Sequence, residues 1–189
     1  MYHPKSPAGT LMWEHRLILR AVRDMQASAA ELVAGEQLEP GYVDTVVDFL
    51  RTYADRCHHG KEEDILFRDL AERRLAPEHA EAMDGLLRDH VWARATTGRL
   101  VEAHERYTAG DAEALAEVAR ILGELADFYP VHIDKEDHGF FKPAFEYFST
   151  DERSAMEERF DAFDMMLVHE RYTGVVERLE ARTGRPSGD

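Results

Sequence analysis

Two segments of the chain share the pattern His-x-x-x-Glu-Asp-x-x-Phe, one starting at His59 and the other at His132. Residues four positions apart lie on one face of a helix, one turn from each other. An imidazole and a carboxylate placed in this way can bind one metal ion together, and two such pairs that face each other can bind two. The spacing therefore predicts metal ligation by both histidines and by the glutamates that follow them, Glu63 and Glu136.

Two further histidines, His15 and His90, are expected to complete the site. A helix rises about 1.5 Å per residue, so residues equally distant from a connecting loop lie at the same height in an up-down bundle. His15 and His59 are each roughly 20 residues from the first predicted connector, and His90 and His132 are each roughly 20 residues from the last. All six predicted ligands therefore fall in one layer, within about one helical turn.

The neighbouring His58 and Glu62 form an alternative pair with the same spacing. At 3.6 residues per turn, His59 shares a stripe with the apolar Leu66, whereas His58 shares one with charged residues. We therefore predict that His58 and Glu62 face solvent. Glu62 and Asp137 could support Glu63 and Glu136 by hydrogen bonds, or would replace them as ligands if this phase is wrong by one residue.

Tyr129 lies one turn before His132 on the same stripe and is the predicted contact for a small ligand. Its hydroxyl could donate a hydrogen bond to an oxygen atom bound at the centre, and a half-buried core tyrosine would fit the spacing equally well. Arg94 is expected in the next layer, where it would orient carboxylates, oppose an anionic ligand or reach solvent.

Apolar residues recur in steps of three and four along most of the chain and predict helices, without a strand pattern. Four long helices with short connectors are typical of an up-down-up-down bundle, so we predict an all-α fold. Thr10 is the predicted N-cap of the first helix, Pro77 fits the first turn of the third, and Ser149 with Glu152 predicts a capping box for a fifth. The predicted parts are a flexible arm at 1–9, the metal-binding bundle at 10–145, a C-terminal helix packed on it at 146–183 and a frayed tail at 184–189.

Composition excludes several other classes of function. The formal net charge of −15 argues against non-specific binding to nucleic acid or to an anionic membrane. The single cysteine, Cys57, excludes an internal disulfide and fits a reducing compartment. The sequence has neither an apolar run of about 20 residues nor the apolar stretch of a signal peptide near its N-terminus. These features predict a cytoplasmic protein, and they indicate no particular protein partner.

The combination of ligands favours iron. Any one of these residues could be an ordinary core residue satisfied by hydrogen bonds, but two carboxylates buried in one layer with neutral imidazoles are costly without bound cations. Four histidines and two glutamates are too many for one tetrahedral zinc ion and suit two first-row ions with higher coordination numbers. The prediction is two non-haem iron ions with an oxo or hydroxo bridge. One ion would be bound by His15 and His59, the other by His90 and His132, and both glutamates would bridge them.

These segments resemble the hemerythrin-like (HHE cation-binding) family over about residues 10–145. The resemblance is carried by Glu14-His15, by the run from His58 to Phe67, by Asp89-His90, and by the run from His132 to Phe140. It implies a carboxylate-bridged di-iron centre in a four-helix bundle. The open coordination position would accept a small ligand such as O2 or NO.

One position departs from the oxygen-carrying members of that family, which have a second histidine one turn after the first on the third helix. Here that position is Arg94, so one iron would lose a protein ligand. The remaining set is more similar to the family's iron–sulfur-cluster repair proteins, whose N-terminal cysteine-containing domain is not in this sequence. We expect a protein that binds or senses O2, NO or iron. The alternatives are a di-iron oxidase or peroxidase, a repair-type protein, and a bundle that its ions only stabilise.

Overall fold

The computed structural model describes residues 6–37, 39–164 and 167–182, and within them it contains helices and no strand. The all-α prediction is confirmed. The helices are α1 (Pro7–Val33), α2 (42–71), α3 (Pro77–Thr108), α4 (114–145), α5 (Thr150–Phe163) and α6 (Leu167–Arg182). Of these, none combines the length and the apolar character needed to cross a membrane.

Helices α1 to α4 form the predicted bundle and alternate in direction. The Tyr42 hydroxyl at the start of α2 donates to Asp24 in the second half of α1, whereas His58, further along α2, pairs with Glu14 in the first half of α1. α1 and α2 are therefore antiparallel. Ion pairs between α2 and α3, and between α3 and α4, follow the same reversed order.

Helices α2 and α4 contain wide, π-helical turns at the level where the predicted ligands lie. These segments are Leu50–His59, Glu62–Phe67 and Lys135–Phe140. A π-helical hydrogen bond spans one more residue than an α-helical one, so each such turn shifts the phase of the side chains that follow. As a result His58 and His59 are both buried, and Glu62 is buried as well. The prediction that His58 and Glu62 face solvent is wrong, because it assumed 3.6 residues per turn along the whole helix.

The apolar core is divided into two clusters by a polar layer. Along each of α1 to α4, the two clusters lie on opposite sides of the buried histidines and glutamates, except that Ile133 of one cluster falls between His132 and Glu136. On α2, for example, Phe49 belongs to the first cluster and Leu66 to the second. Burying each large apolar side chain contributes about 1.5–3 kcal/mol, so both clusters hold the polar layer in a fixed frame.

Local signals at the helix ends are confirmed at two of three sites. α3 begins at Pro77, and Ser149 and Glu152 form the capping box that opens α5. The predicted N-cap at Thr10 is wrong, because α1 already begins at Pro7 and the Ser6 hydroxyl accepts a hydrogen bond from the Gly9 amide at 3.2 Å. The predicted flexible arm is therefore too long at its C-terminal end, and its residues 1–5 lie outside the described residues.

The C-terminal part of the chain is two helices instead of the single one predicted. α5 ends at Phe163, and Asp164 after it has an extended backbone. Phe160 of α5 packs into the second apolar cluster, whereas Tyr172 and Val176 of α6 pack into the first. The two helices therefore cover the outside of the bundle on either side of the polar layer. The predicted frayed tail lies outside the described residues.

Candidate metal centre

Five buried histidines meet in the polar layer, contributed by all four helices of the bundle. Each of them is at most 1 % exposed. Their potential ligand atoms form two groups, each with its atoms within 4.8 Å of one another. We call them the three-histidine group (His59, His90 and His132) and the two-histidine group (His15 and His58, with Glu62 and Glu136).

The carboxylate of Glu136 lies between the two groups. Its Oε2 atom is 3.2 Å from Nε2 of His15, and its Oε1 atom is 3.2 Å from Nε2 of His132. Burial by itself raises the pKa of Glu136, but the surrounding imidazoles, first of all His132, hold that pKa well below its usual range. Glu136 is therefore an ionised carboxylate with one oxygen directed at each histidine group.

Glu62 repeats this arrangement from the opposite side of the bundle. Its Oε1 atom is 3.7 Å from Nε2 of His58, and its Oε2 atom is 3.3 Å from Nε2 of His90. Burial and the negative charge of Glu136 raise the pKa of Glu62 to about 8. Two carboxylates thus lie side by side. Without a bound cation, Glu62 carries a proton near pH 7 and Glu136 keeps its negative charge.

The Nδ1 atom of every one of the five rings faces a carboxylate. The pairs are His15 with Asp137 at 2.8 Å, His58 with Glu14 at 2.8 Å, His59 with Asp55 at 3.4 Å, His90 with Glu63 at 2.6 Å, and His132 with Asp89 at 3.3 Å. A neutral imidazole that donates from Nδ1 leaves the lone pair of Nε2 free. Histidines that bind metals are usually oriented by such a partner.

Most of the unsatisfied polar atoms in the described part of the chain are concentrated here. Nine buried side-chain nitrogen or oxygen atoms have no hydrogen-bond partner, and seven of them belong to this site. They are Nε2 of His59, His90 and His132 and both carboxylate oxygens of Glu62 and Glu136. Each buried polar atom left without a partner costs about 1–3 kcal/mol. So many in one place fit a site whose ligands are completed by cations.

The two-histidine group has the spacing of a shared ion. The Nε2 atoms of His15 and His58 are 2.8 Å apart. Two nitrogens at right angles around one ion, each about 2.1 Å from it, would be separated by about 3 Å. The same distance also permits a hydrogen bond between the rings when one of them carries the proton. Both interpretations require the two rings to point at one common position.

Protons occupy part of this site when no cation does. Burial by itself lowers the pKa of His15, but Asp137 and Glu136 raise it to about 10. His90 behaves in the same way, with burial opposed by its carboxylate neighbours, and its pKa rises to about 11. Burial and the charge of His90 lower the pKa of His59 to about 3. Charged and neutral rings are therefore interleaved in the metal-free layer.

A cavity of about 230 Å³ reaches the three-histidine group from the outside of α2 and α3. Its walls are formed by Leu50, Arg51, Asp55, His59, Ala93, Arg94, Thr97 and Tyr129. Arg94 lies at its side and donates to Asp55 and to Glu63, each at 2.7 Å. Tyr129, predicted as a ligand contact, is 2 % exposed and lines the cavity together with His59. Small molecules thus have a route of mixed polar and apolar character to this side of the layer.

The comparison with protein families agrees with this geometry. A family model described as the hemerythrin HHE cation-binding domain matches residues 6–144, well over half of the chain. The chain belongs to the hemerythrin HHE family. Comparison with curated proteins and with solved structures finds no match. The hemerythrin match includes α1 to α3 and nearly all of α4, and it leaves α5 and α6 outside.

Within this hemerythrin domain, the structure brings together most of the residues predicted from sequence. His15, His59, His90, His132 and Glu136 all belong to the two groups. Glu63 does not, because its carboxylate is directed at Nδ1 of His90 and at Arg94, where it orients a ring. Sequence reasoning placed two members of the groups, His58 and Glu62, at the surface. Their own His-x-x-x-Glu spacing, identical to that of His132 and Glu136, is the signal that identifies them.

The sequence predicted that one ion would lack an imidazole because Arg94 replaces a histidine, and this prediction is wrong for the hemerythrin domain, where His59 supplies the third imidazole. The ring of His59, from α2, stacks on that of His90 with 3.9 Å between the ring centroids. The three-histidine group therefore has its third imidazole from the second helix, where the π-helical turn allows two consecutive histidines to point inward. The prediction of four converging histidines is corrected to five.

Proposed function

We propose that this protein binds two iron ions at a carboxylate-bridged dinuclear centre, and that the centre binds or senses a small ligand such as O2 or NO. His15 and His58 would bind one ion, the three-histidine group the other, and Glu62 and Glu136 both. The observation that carries this proposal is the orientation of the two glutamates, each of which directs one oxygen at each histidine group.

The chemistry of the donor set supports iron. Five imidazole nitrogens and two carboxylates are too many for one tetrahedral zinc ion. Mixed nitrogen and oxygen donors suit first-row ions with five or six ligands, and seven side chains shared between two ions leave coordination positions open. A pair of iron ions would supply redox chemistry and an open position for O2 or NO. The protein contributes by holding the rings in one tautomer and by excluding bulk water.

The cavity beside Tyr129 supports a small ligand over a large substrate. At about 230 Å³ it is smaller than typical pockets for organic ligands, which begin at roughly 300 Å³. The Tyr129 hydroxyl is its natural hydrogen-bond donor, since burial and the charge of Asp55 raise the pKa of Tyr129 above its usual value and keep its proton in place. A small ligand such as O2 or NO is therefore favoured over an organic substrate, and a cytoplasmic location remains a prediction from the sequence.

Metal analysis and rapid mixing with O2 test the proposal. Reconstituted protein should contain two irons per chain, and anomalous diffraction at the iron edge should place them between the two histidine groups. When the reduced protein is mixed with O2 in a stopped-flow spectrometer, a lasting absorption band indicates binding. Rapid formation of hydrogen peroxide or water would indicate an oxidase or peroxidase instead. A chain that binds no iron would contradict the proposal.

The Tyr129→Phe variant is expected to release a bound ligand faster. One hydrogen bond contributes about 0.5–1.5 kcal/mol net, so the dissociation rate of NO should rise by about 2- to 10-fold. Stopped-flow measurement of NO release gives this rate directly. Tyr107→Phe is the matched control, because Tyr107 is exposed on α3 and should leave the rate unchanged. Equal rates for wild type and Tyr129→Phe would exclude a contact between this hydroxyl and the ligand.

Metal binding is expected to release protons. In the metal-free site the pKa of His15 is about 10 and that of His90 about 11, so both rings are protonated near pH 7. A cation can bind only when these protons leave, so affinity should fall as the pH is lowered. Glu62, with a pKa of about 8, is protonated near pH 7 as well, so calorimetric titration with Co(II) in buffers of different ionisation enthalpy should reveal release of about three protons. Heats that do not depend on the buffer would contradict this prediction.

A further inference from the structure

A lysine is buried one residue before Glu62. Lys61 is 0 % exposed, which is rare for a lysine unless its charge is paired. Its Nζ atom donates to Oε1 of Glu14 and to Oδ1 of Asp164, and it lies 3.6 Å from Sγ of Cys57. Burial by itself lowers the pKa of Lys61, but the charges around it, first of all Glu14, raise that pKa above its usual value. The ammonium group therefore stays charged inside the protein.

This lysine is linked to the two-histidine group through Glu14. While Oε1 of Glu14 accepts from Lys61, its Oε2 atom is 2.8 Å from Nδ1 of His58. The other four carboxylates that face a ring, Asp137, Asp55, Glu63 and Asp89, keep 17–30 % of their side chains exposed. Glu14 is 0 % exposed. Of the five histidines, His58 is therefore the one whose orienting carboxylate is closed off from solvent and is held in place by protein groups alone.

The outer end of this chain of contacts lies beyond the residues that the family model matches. Asp164 follows α5 directly, accepts from Lys61, and also accepts from the Cys57 thiol at 2.9 Å. Beside it, the ring of Phe163 packs against Gly60 so closely that a Cβ atom at that position would lie 2.9 Å from the ring. The end of α5 is thus seated on the turn of α2 that carries His58, His59 and Glu62.

We infer that Lys61 and Asp164 are positioning residues for the metal centre, and that through Glu14 they fix the His58 ring and thereby tune the ion bound by the two-histidine group. This inference rests on the dinuclear centre proposed above. A cation bound by Glu14, Cys57 and Asp164 themselves is a weaker interpretation of the cluster, because the ammonium group of Lys61 already occupies the position between the two carboxylates. The end of α5 therefore acts on the ion bound by the two-histidine group and not on the other.

Titration of the full chain with Co(II), followed by visible absorption, tests this inference. Glu14→Gln should weaken one of the two Co(II) equivalents by about 10- to 100-fold, the usual effect of losing a partner of a metal-bound histidine. Asp164→Asn, which keeps the size of the side chain, should weaken the same equivalent by about 10-fold and shift its absorption bands. The other equivalent should change by less than about 2-fold in both variants. Asp161→Asn, at an exposed position of α5, is the matched control and should bind as the wild type does.

Three outcomes would overturn the inference. If wild type binds two Co(II) ions and Asp164→Asn leaves both affinities and spectra unchanged, the positioning role is wrong while the proposed centre stands. If Asp164→Asn weakens both equivalents equally and lowers the unfolding temperature of the metal-free protein, Asp164 serves the fold only. If wild type binds fewer than two ions, the proposed centre fails and this inference fails with it.

Discussion

The Glu62→Gln variant should lose most of its capacity to bind two metal ions, whereas Glu63→Gln should keep both. An amide in place of Glu62 removes the charge from a side chain directed at both histidine groups. Among the predicted ligands Glu63 contacts only His90, at Nδ1, and loss of such a partner typically costs about 10- to 100-fold in affinity. Iron per chain, measured by elemental analysis after reconstitution at micromolar free metal, separates the two variants.

Glu62 and Glu63 are adjacent glutamates, so Glu62→Gln and Glu63→Gln form a matched pair of variants. Their stability in the absence of metal gives a second test. The metal-free Glu62→Gln protein should unfold at the same temperature as wild type or higher. The pKa of Glu62 is raised to about 8 by burial and by Glu136, so above the ordinary carboxylate range this group opposes folding. Removing its charge relieves that opposition. A Glu62→Gln protein that binds two irons, or a Glu63→Gln protein that binds none, would show that the ligand assignment is wrong.

Removal of metal should lower the unfolding temperature by a large amount. A ligand at 100 times its dissociation constant stabilises the folded state by about 2.7 kcal/mol, so two independent ions would contribute about 5 kcal/mol. For a domain of this size each kcal/mol shifts Tm by about 2–4 °C, which gives about 10–20 °C in total. Calorimetry of reconstituted protein with and without a chelator measures the shift.

The Glu62→Gln variant is the control for this second experiment, because its Tm should respond much less to the chelator. The physical reason for the shift is the group of seven buried ligand atoms that lack hydrogen-bond partners without metal. If chelation leaves the wild-type Tm unchanged, those atoms must be satisfied in some other way. The polar layer would then be a neutral feature of the core, and the proposed centre would lose its main energetic support.

Much of this architecture could be predicted from periodicity and spacing. The helices, their alternating direction and the common height of His15, His59, His90 and His132 follow from the helical rise and from short connectors. The capping box of Ser149 and the start of α3 depend on a few adjacent residues, so they can be recognised without tertiary information.

The phase of α2 could not be predicted in the same way. A π-helical turn is stabilised by the packing around it, and no residue type in the sequence specifies it. Its effect is nevertheless large, because it brings His58 and Glu62 inward and leaves Glu63 at the edge. The pairing of Lys61 with Asp164 is a second example, since the two residues are far apart in sequence and meet only because the C-terminal part of the chain breaks into two helices.

The polar layer between the two apolar clusters has a consequence for how the molecule comes apart. Most helical bundles loosen first at their termini, where the packing is thinnest. Here the two halves of the core are each well packed, and the ligand atoms that lack hydrogen-bond partners lie between them. If the proposed centre holds two metal ions, their loss would therefore weaken the bundle at the polar layer and leave the packing on either side of it intact. Without metal, the bundle would open first in its middle, at the polar layer, which would then act as a hinge between the two packed halves.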